Sequence, residues 1–173
     1  MNKVLAELNN AWDLQDKSHV EAFVDQLSAR LFKGAIVGIG AGRMGYSLRG
    51  FIMRLAHMGA NASFIGDTNV PAVNKNSTVI INSSSGETET LKIYARQAKE
   101  AGAQLFLITQ NPESSIGSLS NLVLSMPVID SIQVMKTFPE QYTFVLLDHI
   151  TTLIVAKLKL NNDFLKKNHS VFE

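Results

Sequence analysis

The chain has 173 residues, a hydrophobic fraction of 46% and a net charge of +1, values that indicate one globular domain with a substantial core. The balanced charge gives no indication of binding to nucleic acid or an anionic membrane, and the absence of cysteine excludes disulfides and thiolate metal sites. No apolar run approaches the roughly 18 residues of a membrane helix, and the four histidines lack metal-ligand spacing. We therefore expect a cytoplasmic protein without a bound metal.

The N-terminal part of the chain is predicted to be helical. Apolar side chains recur at helical spacing through residues 2–32, with a break near Ser18. Ser18 is predicted to cap the second of two helices, and Glu21 stands three positions later, as a capping box requires.

Strands and helices alternate through the rest of the chain. In order, we predict strand 35–39, helix 44–58, strand 62–65, strand 79–81, a helix from about 87 to 101, strand 104–109, a short helix 115–119, strand 122–124 and a helix 140–160. Such alternation implies right-handed crossovers and a mainly parallel, doubly wound sheet. Residues 126–139 are predicted to be the longest irregular stretch, and a loop of that length is often functional.

The loop after the third predicted strand contains an unusual group of hydroxyl side chains. Ser83, Ser84 and Ser85 precede Gly86, and Thr88 stands at the predicted start of the next helix. Helix-start amides and the positive end of the helix dipole favour an anion, so this pattern is typical of a phosphate site. The alternative is a serine-rich turn whose hydroxyls merely cap the helix.

A glycine-rich turn follows the first predicted strand. Gly40, Gly42 and Gly45 fit the dinucleotide-binding spacing, and Asp67 stands where that fingerprint needs an acid. Arg43 inside the turn suits a sugar phosphate as well as a pyrophosphate. Both unusual loops follow strands and should lie at the carboxyl edge of the sheet, where ligands bind in such folds. A phosphate site is the favoured interpretation, and a nicotinamide cofactor is the alternative.

Two ionisable residues have both a structural and a catalytic interpretation. Glu140 opens the last predicted helix, where the dipole favours a carboxylate, and it could also act as a general base. His57 lies near the end of the first core helix, where it could pair with the helix dipole or take part in catalysis.

Several of these motifs together resemble one family, the sugar isomerase (SIS) domains, and within it the 6-phospho-3-hexuloisomerases. Residues 40–45 resemble the family's Gly-Ala-Gly-Arg-Ser-Gly turn, and residues 53–59 resemble Met-Arg-Leu-Met-His-Met-Gly. Residues 83–88 resemble the phosphate loop Ser-Gly-Ser-Gly-Glu-Thr, and residues 140–141 match a Glu-Gln pair that opens the last long helix. The tail at 169–173 is similar to the ending His-Ala-Asn-Leu-Glu, so the resemblance covers nearly the whole chain.

The resemblance implies a fold and an assembly. The fold would be an α/β/α three-layer sandwich with a five-stranded parallel sheet, preceded by N-terminal helices that take part in oligomerisation. The whole chain, 1–173, would be a single SIS domain with N-terminal helices at 1–32, an α/β core at 33–160 and a tail at 161–173. Family members are dimers or tetramers, so a homo-oligomer is expected here.

The resemblance also implies an activity, the interconversion of 3-hexulose 6-phosphate and fructose 6-phosphate without metal or cofactor. Glu140 would move a proton between carbons 2 and 3 through a cis-enediol. His57 would assist oxygen proton transfer or ring opening, reaching the site of a neighbouring subunit. The residues expected to hold the phosphate are Ser83, Ser84, Ser85, Gly86 and Thr88, with Arg43 beside them.

Four residues depart from the family pattern around this site. Met44 replaces a serine, Ser84 replaces a glycine, and Lys136 and Pro139 change the segment before Glu140. These departures support two alternative functions, a non-catalytic phosphosugar-binding sensor or an isomerase of a different sugar phosphate.

Overall fold

The structure is a computed structural model that describes residues 1–171, except for the side chain of Lys136. The N-terminal helices are α1 (Asn2–Leu14) and α2 (Lys17–Arg30). The core elements follow in the order β1 (Ile36–Gly40), α3 (Gly42–His57), β2 (Ala62–Phe64), β3 (Thr78–Asn82), α4 (Glu89–Glu100), β4 (Gln104–Thr109), β5 (Leu122–Ser125), α5 (Thr137–Lys157) and α6 (Asn162–Lys167). Short 3-10 helices lie at Gly117–Leu119 and Val134–Lys136.

The five strands form one all-parallel sheet in the order β2-β1-β3-β4-β5. All five residues of β3 are buried, as expected for a central strand covered on both faces. Alternate residues of β3 face opposite sides, so that Ile80 packs with α2, α3 and α5, whereas Val79 and Ile81 pack with α4. This arrangement confirms the predicted three-layer sandwich and its parallel sheet.

The strand order reverses between β1 and β3, and this position brings the two unusual loops together. Gly40 ends β1 directly beside Asn82, which ends β3. The glycine-rich turn and the serine loop therefore lie at one carboxyl edge, as predicted, where a crevice forms in folds of this class.

Close packing of α3 against β1 accounts for two of the three glycines in the dinucleotide-like turn. A Cβ on Gly45 would lie 2.5 Å from the carbonyl oxygen of Gly40, and a Cβ on Gly40 would lie 2.8 Å from the Gly45 Cα. Real side chains do not tolerate such distances, so both positions require glycine whatever ligand binds nearby.

The structure differs from the sequence-based expectation at several element ends. Asp16 caps α2, because its Oδ1 accepts hydrogen bonds from the amide and hydroxyl of Ser18, so the predicted Ser18 cap is wrong. The last long helix begins at Thr137, since Pro139 fits the first turn, where an amide hydrogen would have no helical partner. The prediction that residues 126–139 form the longest irregular stretch is therefore wrong, because helical structure begins at Val134. The longest irregular stretch is 65–77, whose residues are all described and form neither helix nor strand.

Two short helices were not predicted, the 3-10 helix Val134–Lys136 and α6. Helix α6 has six residues and is capped by Asn161, and it is too short and polar to produce an apolar period. Across residues 1–171, no helix is both long enough and apolar enough to cross a membrane.

Candidate functional site

The serine loop after β3 is fixed mainly by the neighbouring strand β4. The Ser83 amide donates to the Ile108 carbonyl at 3.0 Å. The Ser84 carbonyl oxygen accepts from the Gln110 amide and from the Thr109 hydroxyl, both at 3.0 Å. The loop is therefore held from strand to strand before any ligand binds.

Gly86 gives the loop its sharp turn into α4. Its φ of +65° is in the left-handed region, and a Cβ there would lie 1.9 Å from the Ser114 hydroxyl oxygen. Its amide donates to Ser83, and its carbonyl oxygen accepts from the Ile116 amide at 3.2 Å. Gly86 thus contributes through the shape of the backbone, because its N–H group already has a partner.

Glu87 fastens the same loop to the segment after β4. Its two carboxylate oxygens accept hydrogen bonds from the amide and hydroxyl of Ser115, at 2.6 and 2.7 Å. These bonds, the amide bond first, and the nearby Lys92 ammonium lower the pKa of the Glu87 carboxyl below its ordinary value. Glu87 therefore has a structural role in holding the turn.

A small cleft of about 140 Å³ lies over the serine loop and the start of α4. It is lined by Ala41, Met44, Asn82, Ser83, Ser84, Ser85, Thr88 and Leu91. We call it the serine cleft. The positive end of the dipole of α4 faces this position, which is the electrostatic requirement for an anion site.

The hydroxyl groups of the serine cleft differ in their availability to a ligand. Ser83 and Ser85 accept hydrogen bonds from the amides of Gly86 and Glu87, which leaves each O–H hydrogen able to donate. Within the described residues, the Thr88 hydroxyl at the N-cap of α4 makes no capping hydrogen bond. The Ser84 hydroxyl donates to Gln110 at 2.7 Å, so its hydrogen is already engaged.

A second cleft contains the predicted base. Glu140 lies in the first turn of α5, and its Oε2 lies 2.5 Å from the Nε of Arg43 in the first turn of α3. The side chain of Glu140 is 16% exposed, whereas that of Arg43 is 64% exposed. This base cleft has a volume of about 350 Å³ and is lined by Arg43, Tyr46, Ser47, Glu140, Gln141 and Phe144.

Two adjacent residues of α3 line different clefts. Arg43 lines the base cleft, where it contacts Glu140, and Met44 lines the serine cleft. The first turn of α3 separates the two clefts. Arg43 had been expected beside the phosphate, and its partner in the structure is the carboxylate. The apolar side chains of Met44 and Leu91 form part of the wall of the serine cleft.

A third cleft connects the serine loop with the start of α5. Its volume is about 260 Å³, and its lining residues are Ser84, Gln110, Val128, Ile129, Ser131, Gln133, Phe138 and Pro139. We call it the wall cleft. Ser84 belongs to this cleft and to the serine cleft, and Pro139 directly precedes Glu140. Sequence reasoning missed Gln110, although its position just after β4 could have identified it.

His57 lies at the other end of α3. At a rise of about 1.5 Å per residue, it is roughly 21 Å along the helix from Arg43. Its side chain is buried, its ring lies 4.7 Å from the His169 ring, and its carbonyl oxygen accepts from the Asn168 side chain. Within one subunit the structure does not bring His57 to Glu140. The last two residues of the tail, Phe172 and Glu173, lie outside the described residues.

The residues considered for a cofactor or a metal have other partners. Asp67, the candidate acid of the dinucleotide fingerprint, accepts from the Phe64 amide at 3.0 Å and from Arg49 at 3.1 Å. The Phe64 bond, followed by that from Arg49, lowers the pKa of Asp67. In the described part of the chain, no three His, Asp or Glu side chains are grouped so as to hold a metal ion.

Comparison with known proteins gives consistent matches. The SIS domain family model matches residues 36–147. A 3-hexulose-6-phosphate isomerase of Bacillus subtilis (strain 168) is 31% identical over 180 residues, covering 99% of this chain and 96% of that protein. Among solved structures, a hypothetical protein from Methanococcus jannaschii has a TM-score of 0.85 and 25% identity, and covers 99% of this chain and 98% of its own. That structure was described as inferring a molecular function of 3-hexulose-6-phosphate isomerase.

A further solved structure shares the fold. A protein of E. coli CFT073, determined in complex with a ligand, has a TM-score of 0.84 at 22% identity, covering 98% of this chain and 93% of its own.

Proposed function

Because the chain belongs to the SIS domain family, we propose that it is a sugar-phosphate isomerase that interconverts 3-hexulose 6-phosphate and fructose 6-phosphate. The observation that carries this proposal is the position of Glu140 opposite Arg43, in a cleft separated by one helical turn from the serine cleft. The name of the Bacillus subtilis relative supports the choice of this reaction.

The phosphate group would bind in the serine cleft. Ser83, Ser85 and Thr88 would donate hydrogen bonds from their hydroxyls, and Gly86 would keep the backbone turn that presents them. The dipole of α4 adds a favourable interaction with the negative charge. Ser84 is expected to contribute less, since its hydroxyl donates to Gln110.

Glu140 would act as the base for both halves of the reaction. Its carboxylate takes the proton from carbon 2 of the 3-ketose, and the electron pair left behind forms the carbon 2–carbon 3 double bond of an enediol, whose O3 gains a proton. The same group returns the proton to carbon 3 while O2 loses its hydroxyl proton, which leaves the carbonyl at carbon 2. One carboxylate is sufficient because both carbons present the same face of a cis-enediol.

The guanidinium of Arg43 would stabilise the charge that develops on the enediol oxygens. A guanidinium keeps its positive charge in proteins, and this one lies 2.5 Å from the base. His57 could assist oxygen proton transfer only from a neighbouring subunit, because it lies roughly 21 Å along α3 from Arg43, the residue that contacts Glu140. A dimer or tetramer is therefore part of the proposal.

A coupled assay tests the reaction. The wild-type protein would receive 3-hexulose 6-phosphate generated in situ, and the appearance of fructose 6-phosphate would be followed. Formation of fructose 6-phosphate at a rate proportional to protein concentration supports the proposal. Absence of turnover despite binding of fructose 6-phosphate in a calorimetric titration contradicts it.

The second candidate is a non-catalytic phosphosugar-binding protein. It is favoured by Met44 and Leu91, which present apolar surface in the serine cleft where hydrogen-bond donors could stand. Binding of a sugar phosphate without turnover of any hexulose or aldose phosphate would support it, and measurable isomerisation would refute it.

A further inference from the structure

Helix α1 is joined to the segment before α5 by a single carboxylate. Glu7 accepts through Oε1 from the Ile132 amide at 2.7 Å. Its Oε2 accepts from the Ser131 hydroxyl and from the Gln133 side-chain amide, each at 2.9 Å. We call this set of bonds the Glu7 clamp. All three donors are consecutive residues more than 120 positions away in the chain, so the contact is specific to this folded arrangement.

The clamped segment lacks regular secondary structure; its first half packs on the core through Met126 and Ile129. Residues 126–133 are all described and lie in neither helix nor strand. Their beginning is tied to β4, because the Met126 amide donates to the Thr109 carbonyl and Gln110 donates to the Pro127 carbonyl. Their far end is held by Glu7, immediately before the backbone adopts a positive φ at Met135. Loss of the clamp would therefore free the far end first.

Two residues that donate to Glu7 also line the wall cleft. Ser131 and Gln133 line it together with Ser84 and Pro139. The wall cleft adjoins the serine cleft, because Ser84 lines both, and its lining residue Pro139 directly precedes Glu140. The wall cleft therefore offers space for part of the carbon chain of a ligand whose phosphate lies in the serine cleft.

We infer that Glu7 is a positioning residue that fixes the Ser131–Gln133 wall against the carbon chain of the bound sugar phosphate. This inference rests on the proposed function for the nature of the ligand. One N–H of the Gln133 side-chain amide donates to Glu7, and this bond orients the amide so that its side-chain oxygen is available to accept a hydrogen bond from a sugar hydroxyl. An N-terminal helix outside the α/β core thereby contributes to the choice of substrate.

Ionisation of the carboxylate agrees with this role. The hydrogen bond from Gln133, followed by that from the Ile132 amide, lowers the pKa of Glu7 below its ordinary value. A charged acceptor forms stronger hydrogen bonds than a neutral one, so the clamp is formed at neutral pH.

The test compares Glu7→Gln and Glu7→Ala with wild type. A matched control is Asp25→Asn, which removes a carboxylate of the other N-terminal helix that pairs with Lys157 at 2.8 Å, at the far end of α5. Three quantities are measured for each protein: hydrogen exchange of the Ile132 amide, affinity for fructose 6-phosphate, and affinity for inorganic phosphate. The last two are obtained by calorimetry and need no turnover.

Both Glu7 variants are expected to exchange the Ile132 amide at least about tenfold faster and to bind fructose 6-phosphate about tenfold more weakly, with unchanged affinity for inorganic phosphate. The Asp25 control should match wild type in all three measurements.

Unchanged exchange at the Ile132 amide would overturn the clamp. Equal losses of affinity for fructose 6-phosphate and inorganic phosphate would indicate general damage and overturn the positioning role. A wild-type protein that binds inorganic phosphate but no sugar phosphate would overturn the proposed function, and the exchange result would still decide whether the clamp exists.

Discussion

Gly86 is the position in the serine cleft where a single methyl group should have the largest effect. In Gly86→Ala the new Cβ would lie 1.9 Å from the Ser114 hydroxyl oxygen and 2.4 Å from the Ser114 Cβ. The left-handed backbone costs about 1–2 kcal/mol for alanine, and displacing a packed neighbour costs about 1–3 kcal/mol. The expected loss of unfolding free energy is therefore about 2–5 kcal/mol.

Gly102→Ala separates the two contributions. Gly102 also has a positive φ, +75°, but the nearest atom to its added Cβ is the Lys75 Cβ at an ordinary 3.5 Å. This control should lose only the backbone contribution of about 1–2 kcal/mol. Any effect of alanine on the unfolded chain is common to both variants and cancels in the comparison.

A double-mutant cycle with Ser114→Gly identifies the clash itself. Removing the Ser114 side chain eliminates both colliding atoms, so in that background Gly86→Ala should cost about as little as Gly102→Ala, roughly 1–2 kcal/mol. Urea unfolding of the four proteins provides the free energies, and titration with inorganic phosphate should reveal a matching loss of affinity in the single variant. The reasoning is refuted if Gly86→Ala is no worse than the control, or if Ser114→Gly brings no relief.

Three further predictions concern single side chains of the site. Arg43→Leu is expected to lower kcat about 100-fold and to leave the affinity for inorganic phosphate unchanged, because Arg43 contacts Glu140. Steady-state kinetics and calorimetry measure the two quantities, and a loss of phosphate affinity would contradict this reasoning. Ser84→Gly is expected to change phosphate affinity by less than about threefold, because its hydroxyl donates to Gln110; a larger loss in the same titration would argue against that account. Folding lowers the pKa of Glu87, so its contribution to stability is complete above about pH 4.5 and is lost as the pH falls through the lower folded value. In Glu87→Gln, the urea midpoint should therefore fall less on acidification than in wild type. An unchanged pH profile would count against the hydrogen bonds from Ser115 to Glu87 as a source of stability.

The strands, the long helices and the position of the serine loop could be predicted from the hydrophobic pattern of the sequence. The buried run that ends at Asn82 and the helix pattern after Gly86 located the serine loop, and the rule on parallel strands placed it beside the turn after Gly40. The start of α5 was harder to predict, because a proline is compatible both with the position before a helix and with its first turn. Pro139 therefore fits the predicted start at Glu140 as well as the observed start at Thr137.

The contacts that complete the site depend on tertiary packing and have no local pattern. Arg43 and Glu140 are 97 residues apart, and they meet because α3 packs on α5. Gln110 engages the Ser84 hydroxyl across two strands, and Glu7 reaches its partners from a helix outside the sheet. Gln110 stands just after β4, a position that could have identified it, whereas the position of Glu7 carries no motif, so a structure was needed to find Glu7.

The most direct test of the central claim is the turnover of 3-hexulose 6-phosphate by wild-type protein and by Glu140→Gln. Each protein would be assayed for fructose 6-phosphate formation and, in parallel, titrated with fructose 6-phosphate. If Glu140 is the base, kcat should fall by at least about 100-fold while affinity stays close to that of wild type, because the phosphate binds in the serine cleft. Equal turnover by the two proteins would contradict the assignment of Glu140 and the proton-transfer mechanism built on it.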